Sequence, residues 1–242
     1  MGTTWKSCSS GEIQPRQCVE CTISGTRVSH RSDGRGRSQL TRAKLGRMTW
    51  DFEKIFVIRH GESEWNVEGR RQGQLDSPPT KEGRSSAEQV SAMLVRFNPD
   101  ALFSSPLGRA WTTAQIIDAV LDLGIRPDVG LSEIDHGHLA GLTDDEIERS
   151  HPGLLAKRRS CLYTWRFPGG ESYADGDLRA AAALRRIERT FARRPVLVTH
   201  EMIARMLVRN LLGLATDEAL NRSFTQGTVY KIIPPSDIRD IA

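Results

Sequence analysis

Two histidines carry the clearest chemical signal. His60 follows the apolar run Ile55-Phe56-Val57-Ile58 and Arg59, and His200 follows Pro195-Val196-Leu197-Val198-Thr199. Both runs read as short buried strands, so each histidine stands just past a strand's C-terminal end. In open α/β sheets that edge is where ligands bind. One such histidine would more often be an ordinary surface or core residue; two in equivalent positions point to a shared site. The surroundings suit an anion. Arg59 precedes His60, and a helix begins directly after His200, offering its N-terminal N–H groups and the positive end of its dipole. The ordinary imidazole pKa of about 6.5 makes an uncharged nucleophile available at neutral pH.

The elements that position these residues follow from hydrophobic spacing. Thr80 through Phe97 places Ala87, Val90, Met93, Leu94 and Phe97 on one helical face. Asp100 to Ser104 is a second short strand, and Pro106 suits the first turn of a helix through Ala110, Ala114, Ile117 and Leu121. A long helix runs from about Ser172 to Ala192. Met202 to Leu212 is a helix stopped by Gly213, and Thr228 to Ile233 is a last strand. Strands alternating with helices predict an α/β fold, with a parallel or mixed sheet covered on both faces. No internal repeat is visible.

Six blocks carry a resemblance to a known family. They are Arg59-His60-Gly61-Glu62-Ser63-Glu64-Trp65-Asn66, Gln72 to Pro78, Ser104 to Ala110, Leu131 to Gly137, Phe167 to Tyr173, and Val198-Thr199-His200. In this order and spacing, over residues 53 to 235, the chain resembles the histidine phosphatase superfamily, in its phosphoglycerate mutase-like, bacterial-type phosphatase branch. The resemblance implies a three-layer α/β/α fold with a mostly parallel central sheet. It implies that His60 is the nucleophile, that Arg59, Arg109 and His200 bind the phosphoryl group with Asn66 near the pocket, and that Glu133 is the proton donor. Asp135 and His136 lie close enough to compete for that last role. The chemistry is consistent. A covalent phosphohistidine splits one hard step into two, and two arginines and a second histidine supply the charge that phosphoryl transfer needs. Glu133 beside Leu131 and Ile134 could have its pKa raised enough to act as an acid. No cofactor is implied, and no Asp/Glu/His grouping has the spacing of a catalytic metal site.

One departure bears on substrate. The family usually has a small residue after the second histidine; here it is Glu201, which either faces away from phosphate or accepts a hydrogen bond from a sugar-like hydroxyl. Locally the chain is similar to fructose-2,6-bisphosphatase, which has a glutamine there and an arginine at the position of Arg205. The stretch Arg158 to Glu171 is also similar, but Asp144 and Leu162 replace substrate-contacting residues of that enzyme. Gln72, Arg158, Tyr173, Glu201 and Arg205 are candidate substrate contacts, with Arg70, Arg71, Lys157 and Arg159 as further cations. The expected activity is hydrolysis of a small phosphomonoester, a phosphorylated sugar or glycerate. The alternatives are a phosphoglycerate mutase, a protein phosphatase of the same superfamily, and a silent phosphometabolite-binding protein. Trp65, Trp111 and Trp165 read as packing residues.

Composition excludes other classes. No run of about 18 apolar residues could cross a membrane, and the first thirty residues hold no secretory core. The net charge of +4 is misleading: residues 1–48 hold nine Lys/Arg against three Asp/Glu, leaving 25 against 27 elsewhere, a net of −2. A nucleic-acid partner is therefore not expected. Residues 1–49 read as a disordered basic extension before a catalytic domain over 50–242, with Met48 as a candidate native start. An organelle-targeting segment or a zinc site at Cys18-x-x-Cys21 is a weaker alternative. Four cysteines are too few for a disulfide framework, so a cytoplasmic setting is expected, with a homodimer as the assembly to consider.

Overall fold

The computed structural model describes residues 50–241; the expectations made for residues 1–49 lie outside them. The elements are β1 (Ile55–Arg59), α1 (Glu64–Val67), α2 (Lys81–Val95), β2 (Ala101–Ser104), α3 (Gly108–Leu121), β3 (Ile125–Pro127), α4 (Asp144–Ser150), α5 (Leu154–Ser160), α6 (Tyr173–Glu188), β4 (Pro195–Thr199), α7 (Glu201–Leu212), α8 (Thr216–Leu220), β5 (Val229–Ile233) and β6 (Asp237–Ile241). They build one sheet in the order β3-β2-β4-β1-β5-β6. β3, β2, β4 and β1 are parallel, and β5 and β6 continue the sheet antiparallel.

The near-continuous Val/Ile/Leu content of β1 and β4 reflects burial on both faces. Alternate side chains go to opposite layers. Ile55, Val57 and Leu197 pack with Leu184 of α6 and Ile203 and Leu207 of α7. Phe56, Ile58, Val196 and Val198 pack with Val90 and Leu94 of α2 and Ala114 and Ile117 of α3. The result is the three-layer α/β/α arrangement with a mostly parallel sheet. Its central pair sets the site: β1 and β4 are in register, Arg59 opposite Thr199, and the His60 amide donates to the Thr199 carbonyl at 2.9 Å. His60 and His200 therefore leave the same sheet edge side by side.

The structure corrects three details of the sequence reading. Helix α3 begins at Gly108, with Pro106 outside it. The Ser105 hydroxyl accepts from the Leu107 amide, and Asp76 accepts from the Gly108 and Arg109 amides, so a residue 32 positions away caps this helix. Helix α6 stops at Glu188, because Phe191 takes a left-handed φ of 63°. Strands β3 and β6 are additional; both are edge strands with little apolar content, which leaves no run to read. Among the described residues, no helix is long and apolar enough to cross a membrane.

Candidate active site

His60 is only 3% exposed, and its ring is oriented from both sides. Its Nδ1 lies 2.7 Å from the Gly61 carbonyl oxygen, an acceptor only, so Nδ1 carries the proton and Nε2 presents a lone pair. Gly61 is demanded by close approach: a Cβ there would sit 2.3 Å from the Gly83 carbonyl oxygen at the start of α2. The Gly61 amide donates to Thr113 Oγ1 on α3 at 3.0 Å. The loop that carries the histidine is thus wedged between two helices.

Arg109, in the first turn of α3, is 2% exposed and donates from Nε to His60 Nε2 at 3.2 Å. Its other nitrogens reach the carbonyls of Gly73 and Leu75 and the Asp76 carboxylate at 2.7–2.8 Å. A fork fixed at this many points presents its charge at one place. His200 caps α7 and is fully buried, its ring centroid 5.1 Å from that of His60. Its Nε2 is 2.8 Å from Ser105 Oγ, and its Nδ1 has no partner among the described residues. Burial, then the charge of Arg109, hold both imidazoles well below their ordinary pKa. Both are neutral near pH 7.

Glu133 follows the short helical turn Val129–Leu131. Its carboxylate accepts from the Ile134 amide at 2.9 Å and the Met202 amide, in the first turn of α7, at 3.3 Å. Burial raises its pKa in spite of those bonds and of Arg109 and Arg59. Arg179 of α6 pins this loop, donating to the carbonyls of Gly130, Ser132 and Glu133 while pairing with Glu171. His136 is pushed down to about 3 by burial and then by Arg71, Arg158 and Arg109, so it stays uncharged at neutral pH. The Asp135 carboxylate is occupied by the Gly137 amide.

A cavity of about 130 Å³ gathers most of the expected residues: Arg59, His60, Asn66, Gln72, Arg109, Glu133 and Glu201 line it, together with Gly73 and His136. His200 is not among the lining residues, though its ring is 5.1 Å from that of His60, which is. Asn66 Oδ1 is taken by Ser63 and Gln226, which leaves its amide N–H groups to give. Gln72 is anchored to Ser63 Oγ at 2.7 Å, with its carbonyl oxygen unpartnered. Arg158, Tyr173 and Arg205 are not among the lining residues. The Arg158 guanidinium bonds the Tyr173 hydroxyl and lies over the rings of Phe167 and Tyr173, and His136 stacks on Phe167. Glu201 lines the cavity. It bridges two arginines, Arg59 at 2.8 Å and Arg205 at 2.6 Å, which hold its charge at the rim. Asp76, Ser105, Thr113 and Arg179 also shape the site, each through a contact more than 30 residues away in sequence that no spacing reveals. Among the described residues, no group of three or more His, Cys, Asp or Glu could hold a metal ion.

The model of the family described as the Histidine phosphatase superfamily (branch 1) matches residues 55–238. The chain belongs to this superfamily. The "Probable phosphoglycerate mutase GpmB" of Salmonella paratyphi C is 36% identical over 162 residues, 66% of this chain and 75% of that protein. Among solved structures, a mycobacterial glucosyl-3-phosphoglycerate phosphatase in complex with VO3 is 29% identical with a TM-score of 0.68, covering 74% of this chain and 92% of that one. Bacillus stearothermophilus YhfR is also 29% identical, with a TM-score of 0.67 over 74% of this chain and 90% of that one. For this histidine phosphatase superfamily member, phosphomonoester hydrolysis is supported at the level of the family.

Proposed function

We propose that the chain hydrolyses a small phosphomonoester in two steps through a phosphohistidine at His60, without a metal ion. One observation carries this reading: His60 is held as the Nδ1–H tautomer, with its Nε2 lone pair beside the Arg109 guanidinium and a cavity of about 130 Å³. In the first step Nε2 bonds to phosphorus, the bond from phosphorus to the leaving oxygen breaks, and that oxygen takes the Glu133 proton. In the second, Glu133 accepts a proton from water as its oxygen bonds to phosphorus and the bond to Nε2 breaks. Arg109, Arg59 and the Asn66 amide supply fixed donors for the equatorial oxygens, and their prior fixation is what makes them effective. Glu133 suits the acid role: burial raises its pKa, whereas His136 is uncharged and Asp135 is capped.

For the leaving group we propose a phosphorylated sugar or glycerate. Arg158 makes no salt bridge among the described residues, so an anionic group passing His136 would meet an unneutralised guanidinium. A similar protein bears the name glucosyl-3-phosphoglycerate phosphatase, which fits such a ligand. The mutase alternative rests on the name of the Salmonella relative. A recess of about 500 Å³ borders the cavity and shares Arg59 and Glu201 with it. The test is phosphate release from sugar phosphates, phosphoglycerates, bisphosphates and phosphopeptides, in excess chelator, with His60→Ala beside wild type. Chelator-resistant release that the variant lacks supports the reading. Isomerisation of phosphoglycerate without net release would replace it with the mutase.

A further inference from the structure

His200 is held by one hydroxyl, and a count of protons on that hydroxyl fixes what the histidine can do. Ser105 ends the run that follows β2; its amide donates to the Val198 carbonyl at 2.9 Å, which ties its backbone to the sheet. Ser105 is fully buried, as is His200. Ser105 Oγ has one proton and two lone pairs. One lone pair accepts from the Leu107 amide at 3.2 Å, and the other contact of Oγ is His200 Nε2 at 2.8 Å. Among the described residues, no third group bonds to Oγ.

Two arrangements satisfy the 2.8 Å contact. If His200 carried its proton on Nε2, it would donate to Oγ, the Ser105 proton would be buried without an acceptor, and Nδ1 would turn a lone pair toward the phosphoryl oxygens. An unsatisfied buried donor costs about 1–3 kcal/mol, before the repulsion is counted. If the proton is on Nδ1, Ser105 donates to Nε2, every group on Ser105 is satisfied, and Nδ1–H is the one donor left to give. That nitrogen has no partner among the described residues, on a ring whose centroid is 5.1 Å from that of His60.

We propose that Ser105 is a positioning residue that locks His200 in the Nδ1–H tautomer, making it a neutral donor to the phosphoryl group. The two imidazoles then have matched roles set by different partners. The Gly61 carbonyl fixes His60 with its lone pair on Nε2, and the Ser105 hydroxyl fixes His200 with its proton on Nδ1. Neither ring needs a charge, which suits a pocket whose positive charge comes from Arg59 and Arg109. The inference rests on the phosphoryl-transfer reading, but its first test needs no turnover.

That test is the ¹⁵N spectrum of the His200 ring at neutral pH in the wild-type protein, assigned by loss of the signals in His200→Ala. A protonated Nδ1 and an unprotonated Nε2 are expected; a protonated Nε2 overturns the proposal whether or not any variant folds. Ser105→Ala is expected to mix the tautomers, with vanadate affinity and kcat/KM falling together by about 10- to 100-fold. Ser105→Thr, which keeps the hydroxyl, should restore the Nδ1–H signal and part of the affinity. Wild-type tautomer and vanadate affinity within twofold in a folded Ser105→Ala protein would also overturn it. Failure of the hydrolase reading looks different: the tautomer is as expected, and no phosphoester is turned over.

Discussion

In the proposed mechanism the pKa values of Glu133 and His60 are shifted in opposite directions, and the pair would set the pH range of the reaction. His60 must be neutral to attack, and its pKa is held low by burial and Arg109, so activity is lost only as pH falls through that lowered value. Glu133 must be protonated to release the alkoxide, and its pKa is raised, so activity is lost as pH rises through that value. The kcat/KM profile for an alkyl phosphate is therefore expected to be bell-shaped and displaced to the acid side. Glu133→Gln should remove the alkaline limb and lower kcat/KM by about 10²- to 10⁴-fold. The loss should be far smaller for p-nitrophenyl phosphate, whose leaving group needs no proton; an equal loss for both would contradict the acid role. Arg109→Lys keeps a charge but cannot reach His60, the Gly73 and Leu75 carbonyls and Asp76 together, and should cost about 10²- to 10³-fold. His60, His200, Arg59 and Arg109 were legible because residue type and position after a strand or a motif identify them. Ser105 was not, because its part depends on which atom of His200 it meets.

At the scale of elements, the site depends on how closely α2 approaches the loop after β1. Gly83 allows that approach: a Cβ there would lie 2.1 Å from the Glu62 carbonyl oxygen, a backbone atom that cannot swing aside. Gly83→Ala is expected to destabilise the fold by about 1–3 kcal/mol through overpacking, and to lower kcat/KM by displacing His60. Thermal melting and steady-state kinetics on one preparation check both effects. Arg179 couples α6 to the loop of Glu133. Arg179→Met should lower kcat/KM for alkyl phosphates while leaving kcat/KM for p-nitrophenyl phosphate nearly untouched, because phosphoenzyme formation from the latter needs no acid. The buried strands β1, β2 and β4 and the helices over them could be read from the sequence, since their apolar periodicity is strong. The short helices α4 and α5 could not. α4 is set by the Thr143–Glu146 capping box, and α5 contains Lys157, Arg158 and Arg159 in seven residues. Arg158 nonetheless turns inward over Phe167, a tertiary preference with no periodic signature.

For the whole molecule, the family model spans residues 55–238, and the two hydrophobic layers and the cavity described above belong to that stretch and its immediate flanks. A chain that starts at Met48 is therefore expected to melt at the same temperature and keep kcat/KM within twofold. A large loss of either would give residues 1–47 a part in catalysis or folding. The parallel order β2-β4-β1 puts Ser105, His200 and His60 on one edge from three separate stretches of chain, and this is why motifs 140 residues apart act together. The proposed reaction turns on the covalent phosphohistidine at His60. The most direct measurement is alkaline quenching of the enzyme during turnover of the best substrate, followed by mass spectrometry of the peptide that contains His60. Phosphate on His60, formed within one turnover and absent from His60→Ala, is the expected result. Full-rate hydrolysis by His60→Ala, or steady turnover with no modified His60 at any time point, would contradict it.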